Sequence, residues 1–234
     1  TNATGYVDNP TDYVQTNGSV VLTNPWVDGL KVTLSGAIDK NSQTSKTWQT
    51  PWMLYYWDKQ TYQSDGVTPQ LVGAIRSNFT DPRLSQSYSN VLNTNLTAMI
   101  NYDKKFGADH NLSFLAGVTR ETFDGDNFFA YRRNYISSAV DQLFAGGSLQ
   151  QNTGGSAYNR ARLGYYGRVQ YNYDRKYYLT GNLRRDGASQ LGTNSKYGTF
   201  WGVSAGWEIA NEGFWEKSKL SSIFSSMKLR GSYG

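Results

Sequence analysis

The stretch YYGRVQYNYDRKYYLTGNLRRD, residues 165–186, decides the fold of this chain. Two runs within it, 165–174 and 177–184, alternate with a period of two, and a short polar turn at 174–176 separates them. Such alternation predicts two half-buried antiparallel strands, because successive side chains of a strand point to opposite faces. One face of the pair carries Tyr165, Val169, Tyr171, Tyr173, Tyr177, Leu179 and Leu183; the other carries Tyr166, Arg168, Gln170, Asn172, Tyr178, Thr180, Asn182 and Arg184.

The same alternation recurs along the chain. It runs through 201–209, where Trp201 and Val203 oppose Gly202 and Ser204, and it recurs in 95–102, 112–119 and 30–35. The composition agrees, since aromatic residues make up 15% of the 234 residues and Tyr alone supplies 18. Tyrosine and β-branched residues favour strands, and glycine favours the turns between them. The sequence predicts an all-β protein.

The predicted connections alternate in length. Those at 174–176 and 104–109 are short, whereas 121–160 is long and polar and 185–196 is intermediate. Short turns at one end and long loops at the other are typical of an antiparallel transmembrane β-barrel. Aromatic residues near the ends of the apolar faces also suit the interfacial girdle of such a barrel. These aromatic residues are Tyr165, Tyr171, Tyr173, Tyr177, Trp201 and Trp207. A soluble β-domain with a tyrosine-rich core remains an alternative.

Several segments lack the strand pattern. Residues 137–144 predict a short loop helix, and 211–216 predict a helical turn capped by Asn211. Residues 39–90 are interpreted as a long loop with strand extensions. Residues 1–17 are polar and broken by glycine and proline, so they are not expected to form a folded start. Both ends of the chain are expected to be cuts through a longer protein.

The bulk composition excludes some classes of protein. Hydrophobic residues make up 38% of the chain and the mean hydropathy is −0.61, with no run of the roughly eighteen apolar residues that a membrane helix needs. The net charge of +5 is scattered, apart from the pairs Arg132–Arg133 and Arg184–Arg185, so binding of nucleic acid is not predicted. The absence of cysteine excludes disulfides and zinc–thiolate sites within this chain.

No catalytic or metal-binding constellation stands out. Nucleophilic catalysis needs a nucleophile paired with a base, and the single histidine of the chain, His110, does not by itself make such a pair. A structural role is expected for it. The acids of Asp124-Gly125-Asp126 lack the further fixed oxygens of a calcium loop. Gly146-Gly147 lacks the Lys-Ser/Thr ending of a phosphate loop. The sequence therefore predicts neither an enzyme nor a cofactor.

Several motifs resemble the SusC/RagA-like TonB-dependent outer-membrane transporters. The motifs are DPRLSQSY at 81–88, the strand at 96–102 with the following Phe106-Gly107 and His110-Asn111-Leu112, YYGRVQYNYDRKYYLTGNLRRDGASQLG at 165–192, KYGTFWGVSAGWEIANEGFW at 196–215 and MKLRGSYG at 227–234. Together they cover most of 80–234 in the family's order. Residues 1–79 match more loosely, through Asn24-Pro25-Trp26 and the strand after it.

The resemblance implies that residues 1–234 form part, about a third, of a twenty-two-stranded barrel, without the plug domain. It implies a place in the outer membrane of a Bacteroidetes-type bacterium and TonB-dependent import of a glycan or peptide nutrient. The implied partners are a SusD-like lipoprotein lid, outer-membrane lipid, and TonB through segments outside this chain. Residues expected to meet substrate in the lumen or an extracellular loop are Tyr131, Arg132, Tyr166, Arg168 and Arg184.

Two rival functions remain open at this point. One is a soluble or surface-attached β-domain that binds carbohydrate through exposed aromatic side chains, of the kind found at 128–135. The other is a passive porin, which would need neither a plug nor TonB.

Overall fold

The computed structural model describes residues 4–192 and 195–234, and this part of the chain contains eleven strands. A four-residue helix, α1 (Gly213–Glu216), and three 3-10 turns (Leu143–Ala145, Ile209–Asn211 and Lys219–Ser222) lie between strands. No helix in these two ranges is long and apolar enough to span a membrane. The strands are β1 (Gly5–Asp8), β2 (Thr11–Thr23), β3 (Leu30–Gln49), β4 (Met53–Tyr62), β5 (Pro69–Ile75), β6 (Arg83–Phe106), β7 (His110–Arg133), β8 (Gly147–Tyr173), β9 (Tyr177–Ala188), β10 (Tyr197–Glu208) and β11 (Lys228–Tyr233).

Nine of these strands form one sheet in the order β1-β3-β6-β7-β8-β9-β10-β11, with β2 also paired to β3. The pairs β1–β3, β8–β9, β9–β10 and β10–β11 are antiparallel. Strands β4 and β5 form a separate antiparallel hairpin. The predicted all-β antiparallel fold is confirmed. Within the described residues the sheet is open, because β11 pairs with β10 alone.

The register of β8 to β11 confirms the two predicted faces. Leu179 lies opposite Tyr171 on β8 and Ala205 on β10, while Thr180 lies opposite Gln170 and Ser204. Antiparallel partners share a face, so most apolar side chains meet apolar ones and most polar side chains meet polar ones. Phe200 on the polar face and Arg185 on the apolar face are exceptions. We call these the apolar face and the polar face.

The apolar face is exposed rather than packed. Leu179 is 56% exposed and Val203 is 47% exposed. In the described residues, the buried hydrophobic side chains are Trp48, Leu84, Tyr135 and Trp215. A water-soluble domain of this size would cover one face of its sheet to form a core. The exposure disfavours the soluble β-domain.

Contacts divide the chain into two compact units. Unit 1 comprises the described part of Thr1–Tyr13 together with Lys40–Val91 and Gly125–Tyr158. It contains the hairpin β4–β5 and a small core in which Trp48, Leu84 and Tyr135 pack together. Unit 2 comprises Val14–Asp39, Leu92–Asp124 and the described part of Asn159–Gly234, including all of β9, β10 and β11.

The predicted long loop at 121–160 is wrong. Strand β7 continues to Arg133 and β8 begins at Gly147, so the connection is only 134–146. The polar composition of this stretch does not interrupt pairing, because a strand with water on both faces has no need of apolar alternation. The predicted loop at 39–90 is similarly occupied by the end of β3, by β4 and β5, and by the start of β6.

The predicted turns are present in the structure, whereas the predicted unfolded start of the chain is not. The predicted turn at 174–176 is confirmed. The turn predicted at 104–109 is limited to 107–109, because β6 continues to Phe106, and the connection predicted at 185–196 is limited to 189–196, because β9 continues to Ala188. Residues 193 and 194 lie outside the described residues. The unfolded start at 1–17 is wrong, since β1 and β2 occupy much of it; residues 1–3 lie outside the described residues.

The two predicted helical segments are only partly present. In 137–144, only the start of the 3-10 turn Leu143–Ala145 is helical. The predicted turn at 211–216 contains α1, but its N-cap is Glu212 rather than Asn211, and the Glu212 side chain makes no capping bond.

Candidate functional site

A cluster of charged and aromatic side chains occupies the polar face of β7, β8 and β9 in unit 2. We call Glu121, Arg162, Tyr166, Arg184 and Asp186 the polar-face cluster. The β8–β9 register sets Tyr166 directly opposite Arg184, whose guanidinium carbon lies 6.0 Å from the centre of the Tyr166 ring. Arg184 Nε donates to Asp186 Oδ2 at 2.6 Å. The arrangement offers a cation and an aromatic face side by side.

Two glycines make room for this cluster. A Cβ at Gly117 would lie 2.4 Å from the Tyr166 ring, so the ring lies over β7 only because residue 117 lacks a side chain. Gly164, opposite Asp186, similarly leaves space for that carboxylate, whose Oδ1 would lie 2.6 Å from an added Cβ. Glycine at these positions therefore leaves room for the side chains of the neighbouring strands.

Glu121 and Arg162 complete the cluster. Arg162 Nη1 lies 3.9 Å from Glu121 Oε2, and Asn95 Nδ2 donates to Glu121 Oε1 at 3.2 Å. Phe200, 62% exposed, lies opposite Arg184 on β10. An open recess of about 460 Å³ is bordered by Phe200 and by the charged members of the cluster, Glu121, Arg162, Arg184 and Asp186. Such a recess could hold a polar ligand by charge-assisted hydrogen bonds and ring stacking.

The structure brings together some of the sequence-predicted site residues and not others. Tyr166 and Arg184 are in contact, and Arg168, paired with Asn182, lies on the same face of β8. Tyr131 and Arg132 belong to unit 1, near the end of β7. There Arg132 Nη1 donates to the carbonyl of Gly147 at 3.2 Å, which ties together the two ends of the connection 134–146.

Polar contacts that the sequence did not reveal hold the loop 134–146 in unit 1. The Tyr6 hydroxyl donates to Asp141 Oδ2, and Lys46 Nζ lies 3.1 Å from the same oxygen. The hydrogen bond from Tyr6 lowers the pKa of Asp141, and Lys46 lowers it further. Partial burial of the carboxyl acts in the opposite direction but is outweighed. No short motif joins residues 6, 46 and 141, so nothing in the sequence indicated this contact.

A second pair anchors the base of the same loop. Arg133 Nε donates to Asp81 Oδ2 at 2.9 Å, and the backbone amide of Asn134 donates to that oxygen at 3.3 Å. The bond from Arg133 lowers the pKa of the Asp81 carboxyl. Asp81 opens the motif at 81–88, so the structure gives that motif residue a role in fixing the loop.

The residues considered for catalysis or metal binding have ordinary structural contacts. His110 Nδ1 lies 2.5 Å from the Tyr171 hydroxyl, and its ring lies 4.8 Å from that of Tyr173. Asp124 accepts from Asn159, and Asp126 accepts from Asn90 at 3.2 Å. Across residues 4–192 and 195–234, no group of three acidic or histidine side chains could hold a metal ion.

Comparisons with known proteins agree with this architecture. No family model matches the chain. The chain is 33% identical over 148 residues to TonB-dependent receptor P3 of Formosa agariphila, covering 63% of this chain and 14% of that protein. It is 33% identical over 72 residues to TonB-dependent receptor SusC of Bacteroides thetaiotaomicron, covering 31% of this chain and 7% of that protein. This chain is similar to part of the SusC-like TonB-dependent receptors.

A comparison with solved structures shows a similar fold over nearly the whole length of this chain. A chain of the RagAB peptide importer in its closed-closed state superposes with a TM-score of 0.77 over 97% of this chain and 22% of its own length, at 19% identity. An identity of 19% supports a shared fold alone. The alignment spans 14% of the length of receptor P3, so this chain corresponds to a small part of such a receptor.

Proposed function

We propose that this chain forms part of the barrel wall and extracellular loops of a TonB-dependent importer in the outer membrane. The cargo is a glycan or a peptide nutrient, and the chain carries no catalytic activity and no cofactor. The observation that carries the proposal is the exposed apolar face of β8 to β11, backed by a polar face on the same strands. A β structure that spans lipid must be part of a closed barrel, with apolar side chains outward and polar ones toward the lumen.

The dimensions of the apolar face suit a bilayer. On β10 it extends from Tyr197 to Trp207, eleven positions, and a membrane strand needs about 9–11 residues. Aromatic side chains mark one end, where Trp207 pairs with Tyr177 and the Tyr173 and Tyr177 rings stack 6.3 Å apart. Trp201 and Tyr165 lie toward the other end. Tyrosine and tryptophan prefer the two membrane–water interfaces, where the ring is buried and the polar tip is wet.

The topology follows from the connections. The turns 107–109 and 174–176 and the connection 209–227 face the periplasm, and the loops 134–146 and 189–196 face outward. Substrate would meet Tyr166, Arg168 and Arg184 in the lumen, and the remaining predicted contacts, Tyr131 and Arg132, near the outer loop. A SusD-type lipoprotein would close over the outer side, and TonB would act through parts of the receptor outside this chain.

A pair of substitutions tests the proposal in the full-length receptor. Val203→Arg places a charge on the apolar face, at a cost of about 2–4 kcal/mol near the bilayer midplane. Ser204→Arg, the matched control one residue on, places the same charge in the lumen. We expect Val203→Arg to reduce the amount of heat-modifiable folded protein in the outer membrane and Ser204→Arg to leave it near wild type. Equal effects would contradict the assignment of the faces, and with it the barrel wall.

A further inference from the structure

Three basic side chains lie together at one end of the apolar face of unit 2, around Tyr197. We call Arg120, Arg185 and Lys196 the basic patch. Arg185 follows Leu183 by two residues on β9 and pairs with Tyr165 and Thr199, so it lies on the apolar face. Arg120 and Lys196 border one recess of about 270 Å³ together with Tyr197. Ala161 and Leu163 also border this recess, and Arg162 and Ser189 are its other polar lining residues.

The basic patch has no acidic partner within the described residues. Its three side chains are all exposed, and none forms an ion pair there. The contrast with the polar face is direct, since Arg162 there faces Glu121 and Arg184 binds Asp186. An unpaired arginine on a surface that faces lipid is costly unless an anion or water meets it.

The patch is held in place by its surroundings. The guanidinium carbon of Arg185 lies 5.0 Å from the centre of the Tyr197 ring. That ring lies over Gly187, where an added Cβ would be 2.5 Å from it. The carbonyl of Lys196 accepts from the amide of Ala188 at 3.1 Å, which fixes the backbone of Lys196 beside β9. The sheet therefore fixes the position of Arg185 beside the Tyr197 ring and that of the Lys196 backbone.

An apolar recess adjoins the basic one. It is lined by Tyr165, Leu183, Arg185 and Tyr197 among others, with a volume of about 660 Å³, and it shares Tyr197 with the basic recess. An anionic group and a hydrocarbon chain of one molecule could occupy the two together. Few classes of ligand other than membrane lipids combine these two properties.

We propose that the basic patch binds the phosphate-bearing headgroup of an outer-leaflet lipid, whose acyl chain lies along Tyr165 and Leu183. The proposal rests on the proposed membrane position of this face, with the connection 189–196 outward. Arginine and lysine form charge-assisted hydrogen bonds to phosphate, which offset the cost of placing them beside hydrocarbon. The nearest acid along this face of β7, Asp124, accepts a hydrogen bond from Asn159 instead of pairing with the patch.

The test measures binding of lipid A to the purified full-length receptor by native mass spectrometry, with phosphatidylcholine as the neutral lipid. Arg120→Gln/Arg185→Gln should weaken lipid A binding roughly twenty-five-fold, about fivefold per charge, and leave phosphatidylcholine binding unchanged. Lys31→Gln/Arg230→Gln is the matched control, because it removes two exposed charges from the polar face. It should bind lipid A as the wild type does. Equal losses in both double variants, or no loss in either, would overturn the proposal.

Further arms separate the possible sources of failure. Inorganic phosphate should not displace lipid A, because the apolar recess contributes to binding; displacement would show a free-anion site and overturn the lipid proposal. If Arg120→Gln/Arg185→Gln does not fold, the single variant Lys196→Gln replaces it. Its affinity for lipid A should fall about fivefold, and an unchanged affinity would overturn the lipid proposal. Heat-modifiable mobility reports assembly independently. A wild-type receptor absent from the outer membrane would refute the proposed function instead.

Discussion

At the scale of single residues, the loop 134–146 depends on partners far away in the sequence. Asp141 meets Tyr6 and Lys46, and Tyr135 packs edge-on against Trp48 with the ring centres 4.7 Å apart. These contacts could not be predicted, because they require the pairing of β1 with β3. By contrast, the pairing of Tyr166 with Arg184 follows from the alternation and the turn at 174–176 alone, since a hairpin fixes its own register.

The lowered pKa of Asp141 predicts how the loop responds to acid. A carboxyl whose pKa is lower when folded contributes stability above its unfolded pKa of about 3.9, and this contribution is lost as the pH falls through the folded value. We expect hydrogen-exchange protection of 134–146 to be constant near neutral pH and to drop below about pH 4. Asp141→Asn should have lower protection at neutral pH and a smaller drop. Wild-type protection that stays constant below pH 4 would contradict this role.

Tyr135 offers a test of packing against hydrogen bonding. Its ring is buried with Trp48 and Leu84, and its hydroxyl has no hydrogen-bond partner within the described residues. Tyr135→Phe should keep the loop as stable as the wild type, because no hydrogen bond is lost. Tyr135→Ala should lower the free energy of loop opening by about 3–5 kcal/mol, measured by hydrogen exchange of the intact receptor. A large loss in Tyr135→Phe would reveal a bond to the hydroxyl.

At the scale of elements, the strands are longer than the sequence predicted, for one physical reason. β8 has 27 residues, of which only about 9–11 are needed to cross hydrocarbon. The alternation is clear where one face is apolar, as in 165–173, and fades in 147–160, where polar residues predominate. A paired strand with two polar faces has no alternation, so its sequence looks like that of a loop. Strand positions were therefore predictable only where the two faces differ in polarity.

The turn between β2 and β3 provides a test of close backbone approach. Gly29 has a φ of +85° and its carbonyl accepts from the amide of Asp103 at 3.0 Å; an added Cβ would lie 1.8 Å from the carbonyl oxygen of Asp103. Gly29→Ala should destabilise the folded receptor by about 1–3 kcal/mol, because both backbone conformation and contact oppose the methyl group. Gly181→Ala, which meets nothing within 4 Å, is the control. Guanidinium unfolding in detergent measures both, and equal midpoints would contradict the close approach.

At the scale of the whole molecule, the scarcity of buried side chains is the central fact. Large hydrophobic side chains are far more often exposed than buried in the described residues, and those on β9 and β10 share one face apart from Phe200, which lies on the polar face. In water this surface would favour association, whereas in a bilayer it is solvated by hydrocarbon. On the proposed function, the fold therefore requires lipid around its apolar face and pairing partners for its open sheet edges.

Cysteine labelling tests that dependence on lipid directly. This chain has no cysteine, so single substitutions can be made in a full-length receptor free of other cysteines. Val203→Cys should resist a water-soluble maleimide in intact outer membranes and react with a bilayer-soluble one, because hydrocarbon covers the apolar face. Thr180→Cys and Ser204→Cys, neighbours on the polar face, should react with the water-soluble reagent. In denaturant all three should react alike, which controls for intrinsic reactivity. Rapid aqueous labelling of Val203→Cys in the folded receptor would mean that water, and not lipid, covers this face.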